Sequence, residues 1–250
     1  MTSEDDVWAL EVPDVRTAGA MPQMMQFAKL QEKYHWPIAP ALISVLSLVG
    51  YITEVERMCR WMLKKPELVH RLCRLATEFM VNIVRYWVDT FGHPERIMPA
   101  FGAPTESNQI VSPKQFEEFC LPYIGELYER IFDMGIKHIH THICGEQNLN
   151  LPYWKQIPLG DPGILSFGHE VDLETASMCF PDHIIMGNVE PAVIQTGTPE
   201  EVYELSRLCI EKGKRHKGGY VLAPGCELPP NAPPYNVWMM TKAINDFGWY

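Results

Sequence analysis

A chain of 250 residues with 46% apolar and 21% charged residues has the composition of a globular protein, which excludes disordered, collagen-like and coiled-coil architectures. Its 21 basic and 31 acidic residues give a formal charge of −10 with no Lys/Arg stripe, which speaks against nucleic-acid binding. The longest apolar stretch, residues 37–52, is broken by Pro40, Ser44, Ser47 and Gly50 and is too short to span a membrane, and the acidic start of the chain has no apolar signal segment, so a cytoplasmic location is expected.

In chain order, a first strand-length apolar run covers 38–46. Lys65-Pro66-Glu67 opens a helix that should run to about Phe91, with Gly92 as its stop. A second strand is expected at 97–101. Ser112-Pro113-Lys114-Gln115 is an N-cap with Pro at N1 and Gln at N3, opening a helix expected to end at Gly135. Strands follow at 136–142 and 164–167, and Asp172 can cap a short helix ending at Cys179. After a strand at 183–186, Thr198-Pro199-Glu200-Glu201 repeats the capping logic, and Lys212, Lys214 and Arg215 close that helix before Gly218-Gly219. A last strand at 219–223 precedes a helix led in by Pro233 and Pro234 and ending near Phe247.

Strands alternating with helices predict a parallel α/β sheet. No Gly-rich phosphate loop follows any strand, so a nucleotide-binding doubly wound fold has no support. Polar groups cluster just after the strands instead: Glu106, His142 with Cys144, His169 with Glu170, Asn188 with Glu190, and Cys226 with Glu227. Functional groups at strand C-terminal ends are the pattern of a (β/α)8, TIM-type barrel. Only six of eight βα units can be counted. Either the barrel is incomplete at its N-terminus or strands are hidden in residues 1–36, where 10–12 is too short to supply both.

Of seven cysteines, Cys59, Cys73, Cys120, Cys179 and Cys209 fall in helix-like stretches and read as small buried hydrophobes in a reducing compartment. Cys144 and Cys226 do not. In a strand, side chains alternate, so His138, His140, His142 and Cys144 share one face if the strand persists that far. Cys226 stands at the end of the last strand in a Gly/Pro-rich loop, across the same mouth. His142, Cys144 and Cys226 can then meet at one ion. Two thiolates and an imidazole suit Zn²⁺ and leave a fourth position open. The two thiolates cancel the ion's charge, so such a site can hold and activate a substrate thiol.

At these residues the chain resembles the uroporphyrinogen decarboxylase superfamily, and within it the cobalamin-dependent, coenzyme M methyltransferase-like branch. The likeness rests on Ser112-Pro-x-x-Phe116-x-x-Phe119-x-x-Pro122-Tyr123, His142-Ile-Cys144-Gly145, Gly187-Asn188-Val-x-Pro191, Gly197-Thr-Pro-Glu-Glu201 and Pro224-Gly-Cys226-Glu-x-Pro229. It implies a single barrel domain over 1–250 that lacks roughly the first two βα units. It implies His142, Cys144 and Cys226 as zinc ligands, with Glu170 first and Glu106 second as a carboxylate partner, and Asn188 and His140 facing the cofactor. It implies methyl transfer between a corrinoid (cobalamin), carried on a partner corrinoid protein, and a small thiol or a methoxy or methylamine-type substrate.

Three other readings compete. A metal-independent decarboxylase would need anion-binding arginines from strands near the N-terminus that this chain lacks. A non-catalytic fragment or binding subunit would keep the fold and cover its open edges, for example as a homo-oligomer. A metallohydrolase would be built on His138 and His140.

Overall fold

The computed structural model describes residues 3–249. Six parallel strands form one sheet in the order β1-β2-β3-β4-β5-β6, with β1 at Ala41–Ile43, β2 at Ala100–Gly102, β3 at His140–Ile143, β4 at Ile164–Phe167, β5 at Ile184–Val189 and β6 at Tyr220–Pro224. Each strand lies beside its predecessor in the chain. The order therefore never reverses, as it would in a doubly wound sheet, and is that of a barrel wall. Among the described residues six strands are present, where a closed barrel has eight. Residues 3–36 contain no hidden strand; they form helices α1 (Glu4–Ala9) and α2 (Met21–Lys33) with connecting loops.

Helices α3 (Val45–Thr53), α4 (Val55–Lys64) and α5 (Pro66–Phe91) connect β1 to β2, and α6 (Pro113–Phe119) and α7 (Leu121–Phe132) connect β2 to β3. The short α8 (Leu151–Trp154) and α9 (Leu173–Cys179) precede β4 and β5. Then α10 (Pro191–Thr196) and α11 (Pro199–Gly213) lead to β6, and α12 (Pro234–Phe247) follows it. The capping sequences act as expected. Ser112 and Thr198 form capping boxes with Gln115 and Glu201, Asp172 accepts from the Glu174 N–H, and Gly92 closes α5 in the left-handed region at φ 65°.

Two expectations are corrected. The run 38–46 is not one strand: β1 ends at Ile43 and α3 starts at Val45. A continuous apolar run reads equally as a strand or a buried helix, and Val45, Leu46 and Val49 lie on one fully buried helical face. The helix expected to run unbroken to Gly135 is divided at Cys120. Pro122 has no N–H to give the carbonyl four residues back, so the axis is interrupted there.

The sheet has two unlike faces. Ile139, Thr141, Ile143, Leu165, Phe167, Ile185 and Val189 point outward beneath the helices and are fully buried. The pairing register places His140, Ile164 and Ile184 in one inner layer and Gly102, His142, Ser166, Met186 and Val221 in the next. Closed barrels fill these layers with side chains from opposite strands. Here Ile164, Ile184 and Met186 stay half-buried and Val221 is 44% exposed, because the sheet is open. Cys73, Cys120 and Cys209 are buried as expected, while Cys59 and Cys179 are only half-buried. No helix among the described residues is long and apolar enough to cross a membrane.

Candidate metal centre

β3 carries His140 and His142 on the inner face, between Ile139, Thr141 and Ile143 on the helix face. Cys144 is the first residue beyond the strand. Gly145 then turns the chain at φ +71°, a conformation L side chains rarely adopt. The Cys144 carbonyl is anchored by the buried Gln147, whose Nε2 donates to it at 3.1 Å. Gln147 Oε1 in turn accepts from Trp154 Nε1 at 3.1 Å and from Asn150 Nδ2 at 3.3 Å. Cys226 arrives from the far edge. Gly225 donates its N–H to the Val189 carbonyl at 2.8 Å, which folds the loop after β6 over the ends of β4 and β5. A Cβ at Gly225 would lie 2.9 Å from the His169 nitrogen, so the loop can settle there only with glycine.

The result is a three-residue group. Cys144 Sγ and Cys226 Sγ are 3.7 Å apart, and with a ring nitrogen of His142 all three ligand atoms lie within 4.8 Å of one another. Two Zn–S bonds of about 2.3 Å at the tetrahedral angle set the sulfurs about 3.8 Å apart, so the thiols already stand at the spacing a zinc ion requires. The imidazole fits too. His142 Nδ1 is 3.0 Å from Ser166 Oγ, while Nε2 is buried with no hydrogen-bond partner. A buried ring nitrogen without a hydrogen bond and two thiols are a donor set of the kind that fits Zn²⁺. Burial, reinforced by the neighbouring His140, lowers the His142 pKa and favours the neutral, ligating imidazole. Burial, and then the Cys226 thiol, push the Cys144 thiol up to about 12.

The loops at the strand ends carry acids, although Lys212 on α11 pairs with Asp172. The loops leaving the strand ends, residues 103–112, 144–150, 168–172 and 225–233, contain no Lys or Arg but include Glu106, Glu146, Glu170, Asp172 and Glu227. His169 stands 3.5 Å from Glu170 Oε2 and 3.9 Å from Glu190 Oε1. Burial, the Cys226 thiol and Glu170 all disfavour a free thiolate at Cys144.

The other expected site residues fall differently. Glu170 lies beside the group: its Oε2 is buried without a hydrogen bond, and its charge acts on both Cys144 and His142. Glu106 is fully buried and turned toward the start of α3, where it accepts from the Ser47 N–H at 3.3 Å and from Ser47 Oγ at 2.7 Å. It caps that helix. Asn188 spends its amide on the Gly168 and Val171 carbonyls, at 3.0 and 2.7 Å. His140 reaches Ser166 Oγ with Nε2 at 3.0 Å rather than the thiols. The His138 and His140 pair does not converge, since His138 Nδ1 is bound to the Pro162 carbonyl at 2.9 Å. Among the described residues, His142, Cys144 and Cys226 form the group of metal-ligating side chains. Ser166 and Gln147 were not anticipated. For Gln147 a signal existed, a polar residue three positions after a ligand in a short turn; an inward serine on a strand gives none.

The chain is 29% identical over 222 residues to a methylated-thiol–coenzyme M methyltransferase of Methanosarcina mazei, covering 84% of this chain and 54% of that protein. It is 26% identical over 221 residues to a methylcobamide:CoM methyltransferase of Methanosarcina acetivorans, covering 87% of this chain and 61% of that protein. A uroporphyrinogen decarboxylase of Synechococcus is 24% identical over 208 residues, covering 80% of this chain and 53% of that protein. The chain therefore spans little more than half the length of these curated relatives. A solved methyltransferase from Methanosarcina mazei superposes with a TM-score of 0.80 at 20% identity, over 98% of this chain and 70% of that one, a likeness of fold. Residues 1–247 match the uroporphyrinogen decarboxylase (URO-D) family, and the chain belongs to that family.

Proposed function

We propose that this chain is a zinc-dependent methyltransferase of the corrinoid type, with the zinc held by His142, Cys144 and Cys226. The observation that supports it is the pair of thiols 3.7 Å apart with a ring nitrogen of His142 within 4.8 Å of both, on an imidazole whose buried Nε2 makes no hydrogen bond. Methyltransferase relatives at 26–29% identity support the reaction class. The reaction moves a methyl group between a corrinoid, carried on a separate corrinoid protein, and a small thiol or a methoxy or methylamine-type substrate. Bound here, zinc would supply Lewis acidity that holds a substrate thiol as thiolate at neutral pH.

The chain's own residues do the remaining work. Cys226 is exposed and Cys144 half-buried, so the group is reached from the open side of the strand ends. Gln147 fixes the Cys144 backbone, and Gly225 brings Cys226 across the sheet. Glu170, whose buried Oε2 makes no hydrogen bond and has His169 Nδ1 3.5 Å away, would be the carboxylate that joins the group when substrate is absent. Half-buried Ile164, Ile184 and Met186 give the inner face below the thiols an apolar lining.

The test has two parts. Elemental analysis should find about one zinc per chain, and much less in Cys144→Ser and Cys226→Ser. Mixing the zinc-loaded protein with a methylated corrinoid and a thiol should then abolish the methyl–cobalt(III) spectrum. A folded, reduced wild type without zinc overturns the metal centre. Zinc without methyl transfer to any thiol, or from any methoxy or methylamine donor, overturns the activity.

A further inference from the structure

His142 and His140 stand two residues apart on the inner face of β3, and both rings reach the same atom. Ser166 Oγ, on β4, lies 3.0 Å from His142 Nδ1 and 3.0 Å from His140 Nε2. The register puts Ser166 directly beside His142, so the sheet ladder fixes this contact. Ser166 is only 5% exposed, which leaves water little room to replace it.

A serine hydroxyl has one proton to give and can accept another. Flanked by two ring nitrogens, it donates to one and accepts from the other, and the two directions have different consequences. If Ser166 donates to His142 Nδ1, the neutral His142 ring carries its proton on Nε2. That proton is then buried with no acceptor, since Nε2 has no partner, and the nitrogen cannot bind a metal. If His142 Nδ1–H donates to Ser166, Nε2 presents a lone pair toward Cys144 and Cys226. The hydroxyl proton then goes to His140 Nε2, so the neutral His140 ring carries its own proton on Nδ1.

We propose that Ser166 and His140 are positioning residues of the metal centre: Ser166, with His140 as acceptor for its proton, holds His142 in the tautomer and orientation that present Nε2 to the ion. This rests on the metal-centre reading above. Such outer partners orient a ligand before the ion arrives, and their loss typically weakens metal binding tenfold to a hundredfold. The chain His142–Ser166–His140 runs down the inner face, away from the mouth, so it can serve the ligand without touching substrate.

The experiment is zinc affinity, measured on the full chain by competition with a chromophoric chelator, together with the His142 tautomer by long-range proton–nitrogen NMR of the zinc-loaded protein. Wild type should carry the His142 proton on Nδ1. Ser166→Ala should bind zinc about tenfold to a hundredfold more weakly, and Ser166→Thr, which keeps the hydroxyl, should bind within a few-fold of wild type. His140→Phe should fall between them. Equal zinc affinity in wild type and Ser166→Ala overturns the proposal and leaves the metal centre standing. Ser166→Thr as weak as Ser166→Ala overturns it too, and so does zinc bound through His142 Nδ1 in wild type, a result that needs no variant to fold. A wild type that takes up no zinc overturns the metal-centre reading itself, with Cys226→Ser as the matched control.

Discussion

Cys144 Sγ and Cys226 Sγ stand 3.7 Å apart, although 82 residues and two intervening strands separate them. The pairing has a measurable acid sensitivity. Burial and the Cys226 thiol push the Cys144 thiol up to about 12, so the metal-free protein holds Cys144 as a neutral thiol at ordinary pH. Zinc binds the thiolate, and each proton displaced costs about tenfold in apparent affinity per pH unit below the thiol's pKa. Zinc affinity should therefore rise with pH, by at least about tenfold per unit between about pH 6 and 8. Competition titrations at three pH values check the slope, and a flat profile would show that Cys144 is not a ligand.

Glu106 offers a second pH test, this time of stability. Burial holds its carboxyl above the ordinary range in the folded chain. A raised acid stabilises the fold at low pH, and that contribution is lost as pH rises through the folded value. Glu106→Gln cannot ionise and should lose less stability than wild type over the same rise, as urea unfolding at several pH values would show. Glu106→Ala removes the acceptors of the Ser47 N–H and hydroxyl and should cost about 2–3 kcal/mol. Zinc content should be unchanged in Glu106→Gln; its loss would make Glu106 a ligand after all.

Asn188 should behave as a structural pin. Its amide ties the Gly168 and Val171 carbonyls to β5, and Asn188→Ala frees both. A cost of about 1–3 kcal/mol per buried group left unpaired is expected, read as a lower denaturation midpoint. The protein should still carry one zinc per chain. Full stability combined with loss of corrinoid-dependent activity would return Asn188 to the cofactor-facing role that the sequence suggests.

Substrate charge is testable on the same grounds. With acids and no Lys or Arg on the loops at residues 103–112, 144–150, 168–172 and 225–233, a thiol bearing an ammonium group should bind the zinc-loaded protein more tightly than one bearing a sulfonate. Even about 1.4 kcal/mol of screened charge interaction is a tenfold difference in affinity, and added salt should narrow it. Calorimetric titration of a matched thiol pair decides it; tighter binding of the sulfonated thiol would mean that a cation outside these loops faces the group.

The grouping of His142 and Cys144 in the candidate site was legible in the sequence because strand alternation is a strict rule. Once β3 is placed, His142 and Cys144 must share a side, and the Gly/Pro-rich loop around Cys226 has no helix to bury a thiol in. The capping residues Ser112, Asp172 and Thr198 were equally readable, since each acts within its own turn. What escaped depends on partners distant in sequence. Glu106 reads as a mouth acid until Ser47 claims it, across 59 residues. The bonds of the Asn188 amide to the carbonyls of the β4–α9 turn join residues 20 and 17 apart in sequence. The boundary at Ser44 was invisible because 38–46 is apolar throughout, and only packing decides between strand and helix.

The open inner face gives the ligand triad a mechanical meaning. A closed barrel fixes its radius by bonding its last strand to its first, whereas a sheet of six strands with two free ends can flatten or curl. His142 and Cys144 sit on β3 and Cys226 beyond β6, so an ion shared among them draws a chord across the end of the sheet. Were an ion bound there, loading it and curling the sheet would be one equilibrium, in which either favours the other. An ion held by these three residues would act as a clasp on the curvature of the wall that carries them.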